Sequence, residues 1–130
     1  MLNFGQGQFE AMGGGAIRAF EDRMLVHLRK CFPDHTAALD EEQTRVLIRH
    51  GIVRAARFDL VTERNVCKYI DVMIALGPLF DEEPSRAWAV ALLEDTAARP
   101  SPSDRINALY DAVLARLKTA AAQGVVLGRG

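Results

Sequence analysis

The sequence of 130 residues predicts an all-α fold, a single compact bundle of about five helices. Apolar residues recur three or four positions apart in five segments, which is the period of an α-helix. Capping residues, glycine and proline separate these segments, and no segment alternates apolar and polar residues for long enough to predict a strand. We therefore expect one helical domain over residues 1–130, with a kinked or mobile stretch at 1–15 and a loose tail at 125–130.

The first predicted helix spans residues 8–32 and ends before Pro33. Gly13-Gly14-Gly15 lowers its helix propensity, so the part before Ala16 is expected to fray or kink. Cys31 and Cys67 lie in apolar helical patterns, which predicts two buried free thiols.

The second predicted helix spans residues 40–58. Asp40 is its expected N-cap, and Gln43 completes a capping box three residues later. Its pattern predicts two faces: an apolar one with Val46, Leu47, Ile52, Val53 and Ala56, and a polar one with Arg45, Arg49, Arg54 and Arg57. Gly51, in the middle, is expected to permit close approach of another helix or to be a weak point.

Three further helices are predicted at 62–77, 84–95 and 103–123. Thr62 is expected to cap the first of them, and Gly77-Pro78 to end it. Pro84 suits the first turn of the next, and the last is expected to begin at a Ser103 cap and to end at Gly124. The predicted core consists of Phe20, Met24, Leu28, Val53, Ile70, Met73, Trp88, Leu109, Val113 and Leu117.

Composition excludes several classes of function. Hydrophobic residues make up 49% of the chain and the net charge is −1, so no bulk field points to nucleic acid or to an anionic membrane. No window approaches the ~20 continuous apolar residues of a membrane span. The N-terminus lacks the basic and apolar regions of a signal peptide, and we expect a cytoplasmic protein.

No catalytic or ligand-binding motif is present. The sequence lacks a P-loop, a GxSxG elbow, a HExxH pair and a CxxC pair. His27 and Cys31 have the spacing of two metal ligands on a helix, but a zinc site needs three or four. We therefore expect a protein that is not an enzyme and that has no metal and no cofactor.

The arginine face of the second helix is the first candidate for a binding surface. Arg45, Arg49, His50, Arg54 and Arg57 lie within one helix with no acidic residue among them. Arginine is favoured at protein interfaces, where its guanidinium pairs with carboxylates, so an acidic patch of a partner protein is the expected target. Two alternatives stay open: pairing with acidic neighbours of the same chain, and DNA contact by a helix-turn-helix made of the second and third helices.

A second candidate surface is the corner formed by Phe80 and Trp88 beside the acidic turn Asp81-Glu82-Glu83. Large aromatic side chains are frequent anchors of protein interfaces. The same two residues could instead wedge the fourth helix against the core, as a domain of this size requires apolar residues inside.

Several segments together resemble small bacterial proteins that are commonly encoded beside type VI secretion effector or adaptor genes. These segments are Phe20–Pro33, Leu47–Ala56, Arg64–Met73, Leu79–Pro84 and Trp88–Ala89, within a resemblance that covers about residues 16–117. The most specific part is the pattern Tyr-Ile-x-x-Met, Phe-Asp-x-x-Pro and Trp-Ala. Members often have proline directly before the tryptophan, where this chain has Ala87.

The resemblance implies a protein that handles a secreted effector. It favours an adaptor or co-chaperone that helps to load the effector, with an immunity protein that neutralises the effector as the alternative. Its partner would be the effector or the loading partner of that effector. No catalytic residue is carried over from the resemblance.

Overall fold

Six α-helices and two 3₁₀ turns make up residues 13–124, the part of the chain that the computed structural model describes. The helices are α1 (Gly13–Cys31), α2 (Pro33–Thr36), α3 (Glu41–Ala56), α4 (Glu63–Leu76), α5 (Ala87–Glu94) and α6 (Pro102–Gln123). The 3₁₀ turns, Phe80–Glu82 and Pro84–Arg86, connect α4 to α5. The predicted all-α bundle is confirmed. None of the helices in this part of the chain is long and apolar enough to cross a membrane.

α4 is the central helix of the bundle. Nine of its fourteen residues are buried, because it packs against α1, α3 and α6 at the same time. Tyr69 lies fully buried in this helix, and its ring contacts the rings of Phe80 and Phe58 at centroid distances of 5.3 and 6.1 Å. α5 packs on α6 and on the first 3₁₀ turn, which completes the core.

The ends of α3 and α4 agree with the sequence prediction. The Asp40 carboxylate accepts a hydrogen bond from the Gln43 backbone N–H at 2.7 Å, and the Asp40 N–H donates to the Gln43 side chain at 3.0 Å. The Thr62 hydroxyl accepts from the Asn65 N–H, and Gly77, with φ of 113°, ends α4. These caps satisfy backbone groups that the helix itself leaves without partners.

Other helix ends differ from the prediction. Ser103 is not a cap: α6 begins at Pro102 with Ser101 in the N-cap position, and the Ser103 hydroxyl accepts a hydrogen bond from Asn65 instead. Pro84 opens a 3₁₀ turn, and the helix that follows begins at Ala87. Pro33 ends the first helix and also starts a short one, since proline fits a first turn well.

The predicted termini are only partly covered by the described residues. Gly13, Gly14 and Gly15 belong to the first turn of α1. The predicted helical part before Gly13 and the predicted loose tail at 125–130 lie outside the described residues. Gly124, in the left-handed conformation, ends α6 as expected.

The core is largely as predicted, with one error. Seven of the ten predicted core residues are buried: Phe20, Met24, Leu28, Ile70, Met73, Leu109 and Val113. Trp88 and Leu117 are partly buried and pack against this cluster. Val53, however, is 51% exposed. The prediction failed at Val53 because α3 turns a different face to the core from the one that its apolar pattern indicates.

Gly51 lies where α3 crosses α4, as the sequence suggested. A Cβ atom at this position would lie 2.5 Å from Cγ1 of Ile70. The backbones of α3 and α4 are therefore so close at this point that any residue with a Cβ atom would force Ile70 or the helices to move.

Candidate functional site

Arg45 was predicted to face solvent, but the structure buries it. Its guanidinium donates to Glu21 at 2.9 Å, to Asp22 at 2.6 Å and to Glu41 at 3.2 Å. Hydrogen bonds with Asp22 and Glu21 raise the pKa of Arg45 above its ordinary value, so this side chain stays charged. Arg45 thus fastens α3 to α1 and presents no free charge to a partner.

Glu21 is the buried acid at the centre of this cluster. Arg49 donates to it through Nε at 2.6 Å, on the side opposite Arg45. Burial alone would raise the pKa of Glu21, but the hydrogen bonds from Arg49 and Arg45 outweigh it and lower the pKa below its ordinary value. Two arginines of the predicted binding face are therefore neutralised from within the chain.

Arg54 is also buried, in a second cluster with the loop after α4. Its Nε donates to the Asp81 carboxylate at 2.9 Å, its guanidinium makes a second hydrogen bond to that carboxylate, and Glu82 lies 3.1 Å away. The hydrogen bond with Asp81 raises the pKa of Arg54. The fork-like pairing of an arginine with one carboxylate holds the 3₁₀ turn against α3.

The two remaining basic residues of the predicted face are more accessible. Arg57 is exposed, with Glu82 at 4.0 Å. His50 is half-buried, and its Nε2 lies 2.8 Å from the carbonyl oxygen of Pro78. The expectation of uncompensated basic positions was therefore wrong. Every arginine of this set has an acidic partner in the chain, which is the alternative that the sequence left open.

The Phe80–Trp88 corner is divided between the core and the surface. Phe80 is fully buried against Tyr69, so it cannot contact a partner in this conformation. Trp88 is half-buried, and the guanidinium carbon of Arg116 lies 3.7 Å from its ring centroid. Such stacking is a favourable cation–π contact, and it covers one face of the Trp88 ring from within the chain.

Apolar side chains also lie on the outer side of α3. Val46 is 55% exposed, and Val53 lies two turns further along the same face. Beside Val46 there is a groove of about 360 Å³, whose apolar walls come from Leu39, Val46, Leu47, Pro78 and Leu79. Among the residues that the structure describes, its polar lining consists of Gln43 and His50. We name this surface the α3 groove.

A separate group of polar side chains lies between α1 and α4. His27 of α1 lies against Asp71 of α4, with Nε2 at 2.8 and 3.0 Å from the two carboxylate oxygens. Cys67 lies one turn before Asp71 on α4. Its sulfur, a ring nitrogen of His27 and a carboxylate oxygen of Asp71 all lie within 4.8 Å of one another. We name these residues the His–Cys–Asp cluster.

Two further side chains surround the His–Cys–Asp cluster. Tyr110 of α6 lines the same small cavity as Asp71 and helps to lower the pKa of that carboxyl, and the Cys31 sulfur lies 3.7 Å from Nδ1 of His27. Burial raises the pKa of Asp71, and His27 only partly offsets this effect. Burial, with Asp71 nearby, also raises the pKa of Cys67 to about 12. The free Cys67 thiol is therefore protonated at neutral pH.

Residue spacing in the sequence indicated only one part of this cluster. His27 and Cys31 were recognised as a pair four residues apart, but Cys67 and Asp71 form a second such pair on another helix. The two pairs face each other only because α1 packs on α4, which the sequence does not specify. The prediction that both cysteines are buried is also wrong for Cys31, which is exposed, although both thiols are free.

The packing of α4 speaks against the helix-turn-helix alternative. The supposed recognition helix is the central helix of the bundle, with its middle buried on several sides. A recognition helix needs a free face to enter the major groove. α4 offers no such face within the described part of the chain.

Comparisons with protein-family models, with curated proteins and with solved structures give no significant match for this chain. The resemblance to proteins of type VI secretion gene neighbourhoods therefore stays a prediction.

Proposed function

We propose that the protein is a non-catalytic binding module that holds an apolar segment of a partner protein in the α3 groove. The observation that carries this proposal is the exposure of Val46 and Leu79 beside a groove with almost entirely apolar walls. Burial of such side chains is the main favourable term in most protein association.

The charges around the groove support an apolar partner rather than an acidic one. Arg45 and Arg54 are buried in pairs with acids of their own chain. The more exposed Arg49 and Arg57 also have acidic neighbours, so an acidic partner would have to displace existing contacts. An apolar segment displaces none of them.

The predicted class of partner follows from the resemblance, which points to a secreted effector or to the protein that loads it. A loading co-chaperone covers an apolar segment of its client, whereas an immunity protein blocks an active-site cleft, often with complementary charge. The α3 groove suits the first task better. The adaptor or co-chaperone role is therefore our first choice, and the immunity role the alternative.

Binding should be measured by calorimetry between the purified protein and each product of the genes that neighbour its own. Val46→Asp and Leu79→Asp place a charge in the groove, and both positions are exposed, so the fold should tolerate them. We expect at least tenfold weaker binding from each. Val26→Asp is the matched control, since Val26 is a 70% exposed valine on α1, and it should bind as the wild type does.

Three outcomes would contradict the proposal. The first is that no neighbouring gene product binds. The second is that Val26→Asp weakens binding as much as Val46→Asp. The third is that the groove variants bind normally, while Trp88→Ala abolishes binding without loss of helix signal. A toxicity-rescue assay then separates the two roles, because only an immunity protein protects cells from the active effector.

A further inference from the structure

We propose that His27, Cys67 and Asp71 bind a divalent transition-metal ion of the zinc class. An imidazole, a thiol and a carboxyl group, which are the three ligand types that zinc prefers, converge here from two helices. This site is separate from the α3 groove, and the sequence alone predicted no metal.

The distances require only small movements for an ion to enter. Zinc bonds of about 2.0–2.1 Å at tetrahedral angles place a ligand nitrogen and oxygen about 3.3 Å apart, and a sulfur about 3.6 Å from either. Nε2 of His27 and Oδ1 of Asp71 are now 2.8 Å apart, and the three ligand atoms lie within 4.8 Å of one another. A shift of about half an ångström between His27 and Asp71, and of about one ångström at Cys67, converts this arrangement into a metal site.

The helices hold the ligands in place while leaving access from solvent. Cys67 and Asp71 are four residues apart on α4, so their side chains point from the same face of that helix. The Asp71 side chain is buried, whereas the His27 side chain is 33% exposed, which gives an ion a route from solvent. Metal sites between facing helices of a bundle are built in the same way.

The groups around the three ligands fit the same interpretation. A ligand carboxylate usually has an outer polar group beside it, and Tyr110, which lines the same small cavity as Asp71, is placed for this role. A ligand histidine usually has a partner at its other ring nitrogen. When His27 binds through Nε2, its Nδ1 faces the Cys31 sulfur at 3.7 Å. Cys31 is thereby a positioning residue, and the fourth position of the metal is left for water or an added ligand.

The combination of ligands selects the class of ion. Magnesium and calcium prefer oxygen ligands alone, whereas thiolate and imidazole favour zinc and the neighbouring first-row metals. A structural ion pair would need only His27 and Asp71. That pair would leave Cys67 as an apolar packing residue at the edge of the core, whereas a bound metal would also use its thiol.

Cobalt(II) tests the site because its absorption reports the ligands. The full chain, treated with chelator and kept reduced, should bind one equivalent of Co²⁺ with a cobalt–thiolate charge-transfer band, and Zn²⁺ should displace the cobalt. Cys67→Ser should abolish the band, and Asp71→Asn and His27→Gln should each weaken cobalt binding at least tenfold. His35→Gln, a histidine outside the cluster, is the matched control and should leave the titration unchanged.

Cys31→Ser distinguishes a positioning residue from a ligand. It should retain the charge-transfer band, with weaker binding of the ion. Absence of the band in the wild-type protein would overturn the proposal, and so would a band that survives Cys67→Ser. Loss of the band in Cys31→Ser alone would overturn the assigned ligand set. Circular dichroism of each variant checks that the helices are intact. Cys67→Ser replaces only the sulfur by oxygen, so this variant tests the site even if Asp71→Asn does not fold.

Discussion

α3 and α6 both have an apolar pattern in the sequence, but the predicted core residues of α6 lie in or against the core, whereas Val53 of α3 is exposed. In α6, Leu109 and Val113 are buried as predicted, and Ile106 is buried with them. In α3, Val46 and Val53 face outward while two arginines are buried. The comparison shows that hydrophobic periodicity fixes the orientation of a helix only where no buried charge pair competes with it.

The competing interaction in α3 comes from acids that are distant in the sequence. Glu21 precedes Arg45 by 24 residues, and Asp81 follows Arg54 by 27. Ile48, Ile52 and Ala55 still supply an apolar buried strip in α3, so the helix packs with its charges at the edges of that strip. A buried charge is tolerated when it is paired and hydrogen-bonded.

The largest change in stability is expected in α6, whose predicted core residues are buried or partly buried. Leu109→Ala should lower the free energy of unfolding by about 2–5 kcal/mol, because it removes a fully buried side chain and leaves a cavity. Urea denaturation followed by circular dichroism measures this change. Leu114→Ala on the exposed side of α6 should cost less than about 1 kcal/mol, and an equal cost at both positions would contradict the packing of α6.

The arginines of α3 should differ according to burial rather than charge. Arg54→Ala leaves the buried Asp81 without its main partner, and we expect a loss of about 3 kcal/mol, as for other broken buried pairs. Arg57→Ala, three residues away and exposed, should cost less than about 0.5 kcal/mol. Similar midpoints for the two variants in urea denaturation would show that Arg54 is not buried in solution.

Glycine replacements test the crossing of α3 and α4. Gly51→Ala should destabilise the protein by about 1–2 kcal/mol, because the new methyl group meets Ile70 and overpacking outweighs the gain in helix propensity. Gly15→Ala in α1 has open space around its Cβ and should stabilise slightly. A higher thermal midpoint for Gly51→Ala would mean that the helices separate easily at this point.

The smallest change in stability is expected from replacing Val53. Val53→Ala should change the free energy of unfolding by less than about 0.5 kcal/mol, since the side chain is mostly in solvent. The urea denaturation curve of this variant should overlay that of the wild-type protein. A loss of about 1 kcal/mol or more in the free energy of unfolding would show that Val53 is buried, as its sequence pattern predicts.

Local features of the fold could be predicted from the sequence, whereas features that depend on helix pairing could not. The caps at Asp40 and Thr62 need only residues within one turn, and both predictions were right. The burial of Arg54 needs Asp81, and the His–Cys–Asp cluster needs α1 beside α4. No periodicity within a single helix contains that information. The arginines of α3 were therefore wrongly expected to lack acidic partners in the chain, and only the spacing of His27 and Cys31 pointed to a ligand pair.

The internal pairing of the α3 arginines has a consequence for the rate at which a partner would bind. Charges that neutralise each other within a few ångströms create little field at a distance, so they attract an approaching protein weakly. A partner that docks in the α3 groove should then associate at a rate on the order of 10⁵–10⁶ M⁻¹ s⁻¹, as is usual without electrostatic steering. Added salt should leave this rate nearly constant, although the count of basic residues in α3 suggests the opposite.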